Sequence, residues 1–156
     1  MLLNRVATSG VAVVRTGGHA ARRIRSNLRL VDHEQQVHAT WQALSRGDFE
    51  QVEAQFAPDA KWRAVEDGEW NCENRTQILN VMRENRARRV LEGEVEQVVD
   101  VGERVVVAFR PARHDPEGWP LDNGIRYVVL TLRDGLVTEM KGCLNRQVAF
   151  DYANAA

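Results

Sequence analysis

At 156 residues, with 44% hydrophobic and 28% charged side chains, the chain suits one globular domain long enough to bury a core. Its net charge of −1 is unevenly spread: residues 1–31 hold six arginines and no acid, leaving 15 basic against 22 acidic side chains in the remainder. An acidic domain is a poor nucleic-acid binder, because phosphate neutralisation supplies most non-specific affinity. No apolar run approaches the roughly 18 residues that a membrane span requires.

Residues 1–30 carry Arg5, Arg15, Arg22, Arg23, Arg25 and Arg29 among Ser, Thr and Gly, and read as a basic, disordered extension to a domain at 31–156. Their apolar stretch, Val11–Val14, falls short of the roughly 7–15 residues of a signal-peptide core. The same composition would suit an organelle transit peptide or a docking arm. Cys72 and Cys143 lack a C-x-x-C spacing and read as free thiols of a reducing, cytoplasmic compartment, with organelle targeting the alternative.

Next comes an amphipathic helix that Asp32 can cap, with Val37, Trp41 and Leu44 on one face and Gly47 at its end. Asp48 can cap a shorter helix carrying Phe49, Val52 and Phe56. "DAKWRAV" alternates as a half-buried strand, with Trp62 and Ala64 on one side. In "GEWNCENRTQIL", Asn74 and Gln77 form a capping-box-like pair, so Asn-Arg-Thr reads as a helix start and not as a glycosylation acceptor. The helix from about Arg75 to Arg89 presents Ile78, Leu79 and Met82, and four arginines at its C-terminal end complement its dipole. Four antiparallel strands follow, "GEVEQVVDV", "RVVVAFRPA", "GIRYVVLTLRDG" and "LVTEMKGCL", with Asp134-Gly135 a hairpin signal between the last two. "NRQVAFDYA" closes the chain as a short helix or an irregular tail. Helices followed by a meander imply an α+β class with helices against one face of a curved sheet.

Three stretches, "ALSRGDFEQVEAQFAPDAKW", "GEWNCENRTQIL" and "LRDGLVTEMKGCLNR", together with this order, resemble the NTF2-like superfamily and its SnoaL-like group over roughly residues 33–152. The resemblance implies a cone: a curved antiparallel sheet wrapped on three N-terminal helices, in the order α-α-β-α-β-β-β-β. It also implies a pocket between the sheet and the long helix, and a dimer. It does not name an activity, because function lives in the site.

The residues argue against the chemistry of two branches that this fold hosts. The positions that resemble the catalytic groups of ketosteroid-isomerase-like members fall on Thr40, Ala64 and a residue near Val129, none of which can do those jobs. Strand alternation turns Glu92, Glu94, Glu96 and Asp100 to water, and likewise Glu139 and Lys141, leaving no sheet acid of the epoxide-hydrolase kind. The weak catalytic candidates are then Glu66, at the end of the first strand, and His114, beside Asp115 in a turn-rich loop. His33 and His38 are five apart and do not share a ligand face, and no metal site or cofactor is expected.

What the chain offers instead is an apolar lining: Trp41, Trp62, Trp70, Met82, Phe109, Tyr127 and Met140. The expectation is a domain without the usual catalytic acids, binding a small hydrophobic molecule. A cyclase, isomerase or hydrolase using Glu66 or His114 is the alternative, and an interaction module docking through its basic arm a third. Two strands are apolar on both parities, with Val105, Val107 and Phe109 opposite Val106 and Ala108. Such a sheet needs a second cover, for which a homodimer through the outer sheet face is the expected answer.

Overall fold

The computed structural model describes residues 33–113 and 121–155. The expected helix cap Asp32, the extension 1–30 and the loop candidate His114 lie outside them. Helix α1 covers residues 33–46, turning half-buried Val37 and Trp41 and buried Leu44 to the core as their spacing requires. Helix α2 (Phe49–Glu53) starts at Asp48, whose side chain accepts from the Gln51 amide. Helix α3 (Arg75–Ala87) starts at Asn74, whose carbonyl oxygen accepts from the Gln77 amide at 2.9 Å. The Gln77 side chain in turn accepts from the Glu73 amide at 2.8 Å, so the expected capping pair forms one residue wider than the usual box.

Five strands make one sheet in the order β1-β5-β4-β3-β2: β1 (Phe56–Arg63), β2 (Gly93–Val101), β3 (Arg104–Pro111), β4 (Arg126–Arg133) and β5 (Leu136–Cys143). β2 to β5 form the antiparallel meander, and Asp134 and Gly135 turn its last hairpin with φ of 52° and 78°. β1 begins three residues before the expected stretch and joins β5 in parallel, which alternation alone does not disclose.

α1, α2 and α3 pack on the inner face, where Leu44, Val52, Phe56, Ile78, Val105 and Val107 form the main core. The outer face has its own cluster, in which Val106, Ile125, Tyr127, Val129 and Cys143 lie under a fourth helix, α4 (Arg146–Asn154). "NRQVAFDYA" is therefore helical, with Asn145 as N-cap accepting from the Val148 amide at 2.9 Å. The second cover that the doubly apolar strands require is, over β3, β4 and β5, the chain's own α4. The apolarity of those strands is thus met within the chain and does not by itself call for a partner molecule.

α4 buries fully only Ala149 and Ala153. At about 0.8 kcal/mol per buried methylene-sized group, the two alanines contribute little, and half-buried Phe150 and Tyr152 add apolar packing. Polar tethers supplement them at its C-terminal end. Arg104 on β3 donates to the carbonyls of Tyr152 and Ala155, the latter at 2.7 Å, and its guanidinium sits 4.5 Å from the Tyr152 ring centroid. The Tyr152 hydroxyl donates to Glu139 on β5, so Glu139 lies on the outer face as its parity requires yet is half-buried beneath the helix. Burial first, and then the hydrogen bond to Glu139, push the Tyr152 phenol from 10 up to about 12.

The folded state therefore keeps a proton that the unfolded chain gives up near pH 10. That part of the stability is complete below pH 10 and is lost as pH rises towards 12. Tyrosinate absorbance of a Tyr127→Phe variant, in which Tyr152 is the remaining tyrosine, should titrate close to 12 when native and close to 10 in denaturant. Tyr152→Phe should remove the corresponding alkaline loss of stability in denaturant melts.

Candidate functional site

The seven lining candidates do not converge on one cavity. Trp41 and Phe109 meet on the inner face, ring centroids 4.4 Å apart. Gly93 permits this arrangement: at φ 153°, a Cβ on it would fall 2.7 Å from the Phe109 ring and 2.2 Å from the Arg110 carbonyl oxygen. Trp62 and Met140 are register partners on the same face, and Met82 is buried in the core beneath α3. Tyr127 belongs to the outer cluster under α4, because it has the opposite parity to its inward neighbours Val128 and Leu130. It cannot share a cavity with Trp41. Trp70 is 59% exposed in the loop between β1 and α3.

Around that loop the "GEWNCENRTQIL" stretch is a structural hinge. Trp62 and Cys72 exchange both backbone hydrogen bonds at 2.9 Å, folding the loop back on β1, while the Asn71 side chain accepts from the Ala64 amide. Glu73 receives Lys61 at 3.1 Å and Arg63 at 2.8 Å, and these hydrogen bonds, Arg63 first, pull its carboxyl below the ordinary range. The Cys72 thiol is pushed up, by burial first and then by the Glu73 charge. Glu66, the candidate base, is exposed in the loop with Asp67 and Glu69.

Thr40, Ala64 and Val129, the residues at or near the isomerase-like positions, lie as follows. The Thr40 hydroxyl donates to the Gln36 carbonyl at 2.7 Å, within its own helix. Val129 is fully buried on the outer face, and Ala64 has no side-chain chemistry.

Besides Glu139, half-buried under α4, one acid of β2 departs from expectation. Glu92, Glu94 and Glu96 are exposed, but Asp100 is not turned to water. The register of β2 against β3 slips between Val95 and Gln97, a bulge that inserts one residue at Glu96. Beyond it the faces exchange: Val95 and Val98 both join the inner core, and Val99 and Val101 join the outer cluster. Asp100, two residues past Val98, therefore faces inward. There its carboxylate meets His33 Nδ1 of α1 at 2.7 Å, with the side chains only 12% and 16% exposed. Sequence alternation missed this pair because it assumed an unbroken period of two.

Asp100 also ends a continuous cross-sheet row. Asp100 pairs with Val105, Val105 with Leu130, Leu130 with Met140, and Met140 with Trp62. Val105 is fully buried, whereas Leu130, Met140 and Trp62 are only half-buried although they pack against the core. Two shallow surface depressions lie elsewhere. One is on the exposed side of α1, around Glu34, His38 and Gln42, and the other is at the start of α4, around Asp122, Arg146 and Phe150. Among the described residues no group of three His, Cys, Asp or Glu side chains is placed to hold a metal ion. No described helix is long and apolar enough to cross a membrane.

The family model for the SnoaL-like domain matches residues 37–140. The chain belongs to this family. Solved structures with the same fold include an LEH-like epoxide hydrolase from M. tuberculosis, at 17% identity and a TM-score of 0.58, covering 79% of this chain and 90% of that one. An NTF2-like protein of unknown function from Burkholderia xenovorans LB400 matches at 17% identity and a TM-score of 0.55, covering 74% and 85%. Bal32a, from a soil-derived mobile gene cassette, matches at 13% identity and a TM-score of 0.58, covering 81% and 98%. At such identities the likeness shows the NTF2-like fold alone. No curated protein sequence matches the chain.

The hinge reading of the Cys72 loop has a direct check. With both thiols buried and shifted upward, a disulfide reagent at mildly alkaline pH should label neither Cys72 nor Cys143 in the native protein and both in urea. Rapid native labelling of Cys72 would mark it as a reactive site instead.

Proposed function

We propose that this SnoaL-like domain binds a small hydrophobic molecule without transforming it, the ligand lying on the inner sheet face against Trp62, Met140 and Leu130. The observation behind this reading is that row of half-buried apolar side chains, register neighbours on three adjacent strands of the inner face. Apolar surface left partly open beside a packed core is what a hydrophobic ligand would cover, at about 25 cal/mol for each Å² removed from water. Trp41 and Phe109 supply a second aromatic wall on the same face.

The acid–base alternative has less behind it. Glu66 is exposed rather than set in a desolvated site. Docking through the basic arm rests on charge alone.

Calorimetric titration with naphthalene as an apolar probe tests the binding reading. Saturable 1:1 binding is expected, weakened about tenfold or more by Trp62→Ala, the loss of roughly 1.4 kcal/mol, and left unchanged by Trp70→Ala. Binding that does not saturate, or that ignores Trp62, sinks it.

Self-association belongs to the same reading. With α4 over the outer face, a homodimer there would use the half-buried Val99 and Val101 and the exposed Leu144 and Val148. Sedimentation equilibrium should then give twice the 17.7 kDa chain mass, reverting to a monomer in Val148→Lys. A wild-type monomer at all accessible concentrations refutes the dimer.

A further inference from the structure

We propose that Arg126 receives a carboxylate, so that the ligand of the inner face is an apolar molecule bearing one acid group. The proposal rests on the binding reading above and adds a chemical class to it. Its basis is the alternation of β4. Tyr127, Val129 and Thr131, which face outward, are buried, whereas Arg126, Val128 and Leu130, which face inward, are half-buried. The register of β3 against β4 is unbroken from Arg104 with Thr131 to Phe109 with Arg126, so Arg126 shares the inner face with Phe109. At the other end Leu130 pairs with Met140, and Met140 with Trp62. The open side of β4 thus leads from the Trp62 row to a guanidinium, and Val128, the one residue between, is itself half-buried. At about 3.3 Å per residue, Leu130 and Arg126 lie roughly 13 Å apart along the strand, a span that a fused-ring acid bridges.

The chemistry of that end follows from the side chain. A guanidinium is a cation throughout the pH range in which proteins fold. It presents five N–H donors in a planar fork, and two of them match the two oxygens of a carboxylate. Five donors allow Arg126 to keep contacts within the protein and still offer two to a ligand. Its Nε is shut off from solvent, so a carboxylate paired there is screened less by salt than one on a surface arginine. The wall beside it is aromatic: Trp41 packs on Phe109, the register partner of Arg126, with ring centroids 4.4 Å apart. A flat ring system with a carboxylate at one end suits both features.

The alternative, that the guanidinium serves only the fold, predicts no preference for an acid. Calorimetric titration of the full chain with 2-naphthoate and with 2-naphthamide, which share a shape and differ in charge, separates the two. Wild type should bind 2-naphthoate about tenfold tighter, the contribution of a hydrogen bond to a charged group. The preference should persist in concentrated salt, where the Debye length falls to about 3 Å. Arg126→Gln should bring the two affinities together by weakening 2-naphthoate alone. Arg83→Gln, on the exposed side of α3, should leave both unchanged. Equal affinities in wild type, a preference lost in concentrated salt, or one that survives Arg126→Gln overturns the anchor, and the binding reading stands as long as Trp62→Ala still weakens 2-naphthamide. Saturable binding of neither probe overturns the binding reading, and the anchor with it. A circular-dichroism melt establishes whether Arg126→Gln is folded; if it is not, the wild-type preference and its salt dependence decide.

Discussion

β3 and β4 are apolar on both faces, and the remainder of the molecule is arranged around covering them. Val105 and Val107 point one way and Val106 and Ala108 the other, and all four are buried. A sheet of this kind is stable only between two layers. On the inner side the layer is α1, α2 and α3. On the outer side it is α4, a nine-residue helix that buries Ala149 and Ala153 and packs half-buried Phe150 and Tyr152 against the cluster. Arg104 and Glu139 add polar tethers, catching its C-terminal turn from two strands. A polar cluster on the outer face thus completes an apolar core.

The second determinant is a single inserted residue. The bulge at Glu96 divides β2 into two segments with opposite faces. Before it Val95 looks inward, and after it Val98 and Asp100 do. That displacement costs some regular pairing at the sheet edge, where it also interrupts a flat strand that could template aggregation. Its consequence for the site is larger than its size: it brings the one inward-facing acid of β2 against α1, and gives the apolar inner face a polar end.

Membership of the SnoaL-like family accounts for the scaffold and leaves the chemistry to be argued from this chain's own residues. Of the positions that the resemblance to isomerase-like members points to, Thr40 bonds within its own helix, the Ala64 amide donates to Asn71, and Val129, near the third, is buried. What remains on the inner face is hydrophobic, aromatic, and bounded by His33 and Asp100.

Element type and order as far as β5, the helix caps at Asp48 and Asn74, and the Asp134-Gly135 hairpin follow from the sequence, because each depends on residues within a few positions of one another. The double apolarity of β3 and β4 is equally local, and so is the demand for two covers. Which element supplies the outer cover is not local: a nine-residue tail with weak periodicity becomes α4 only through side chains 13 and 48 positions away. The site divides in the same way. Alternation correctly sets Phe109 opposite Ala108, and Tyr127 opposite Leu130, but cannot say which face the first helix will occupy. Nor can it see a bulge, whose register is defined by the partner strand. The His33–Asp100 pair, 67 residues apart, exists only because that register and the path of α1 meet at the edge of β2. Periodicity determined what each segment is; pairing across the sheet decided which way its residues face.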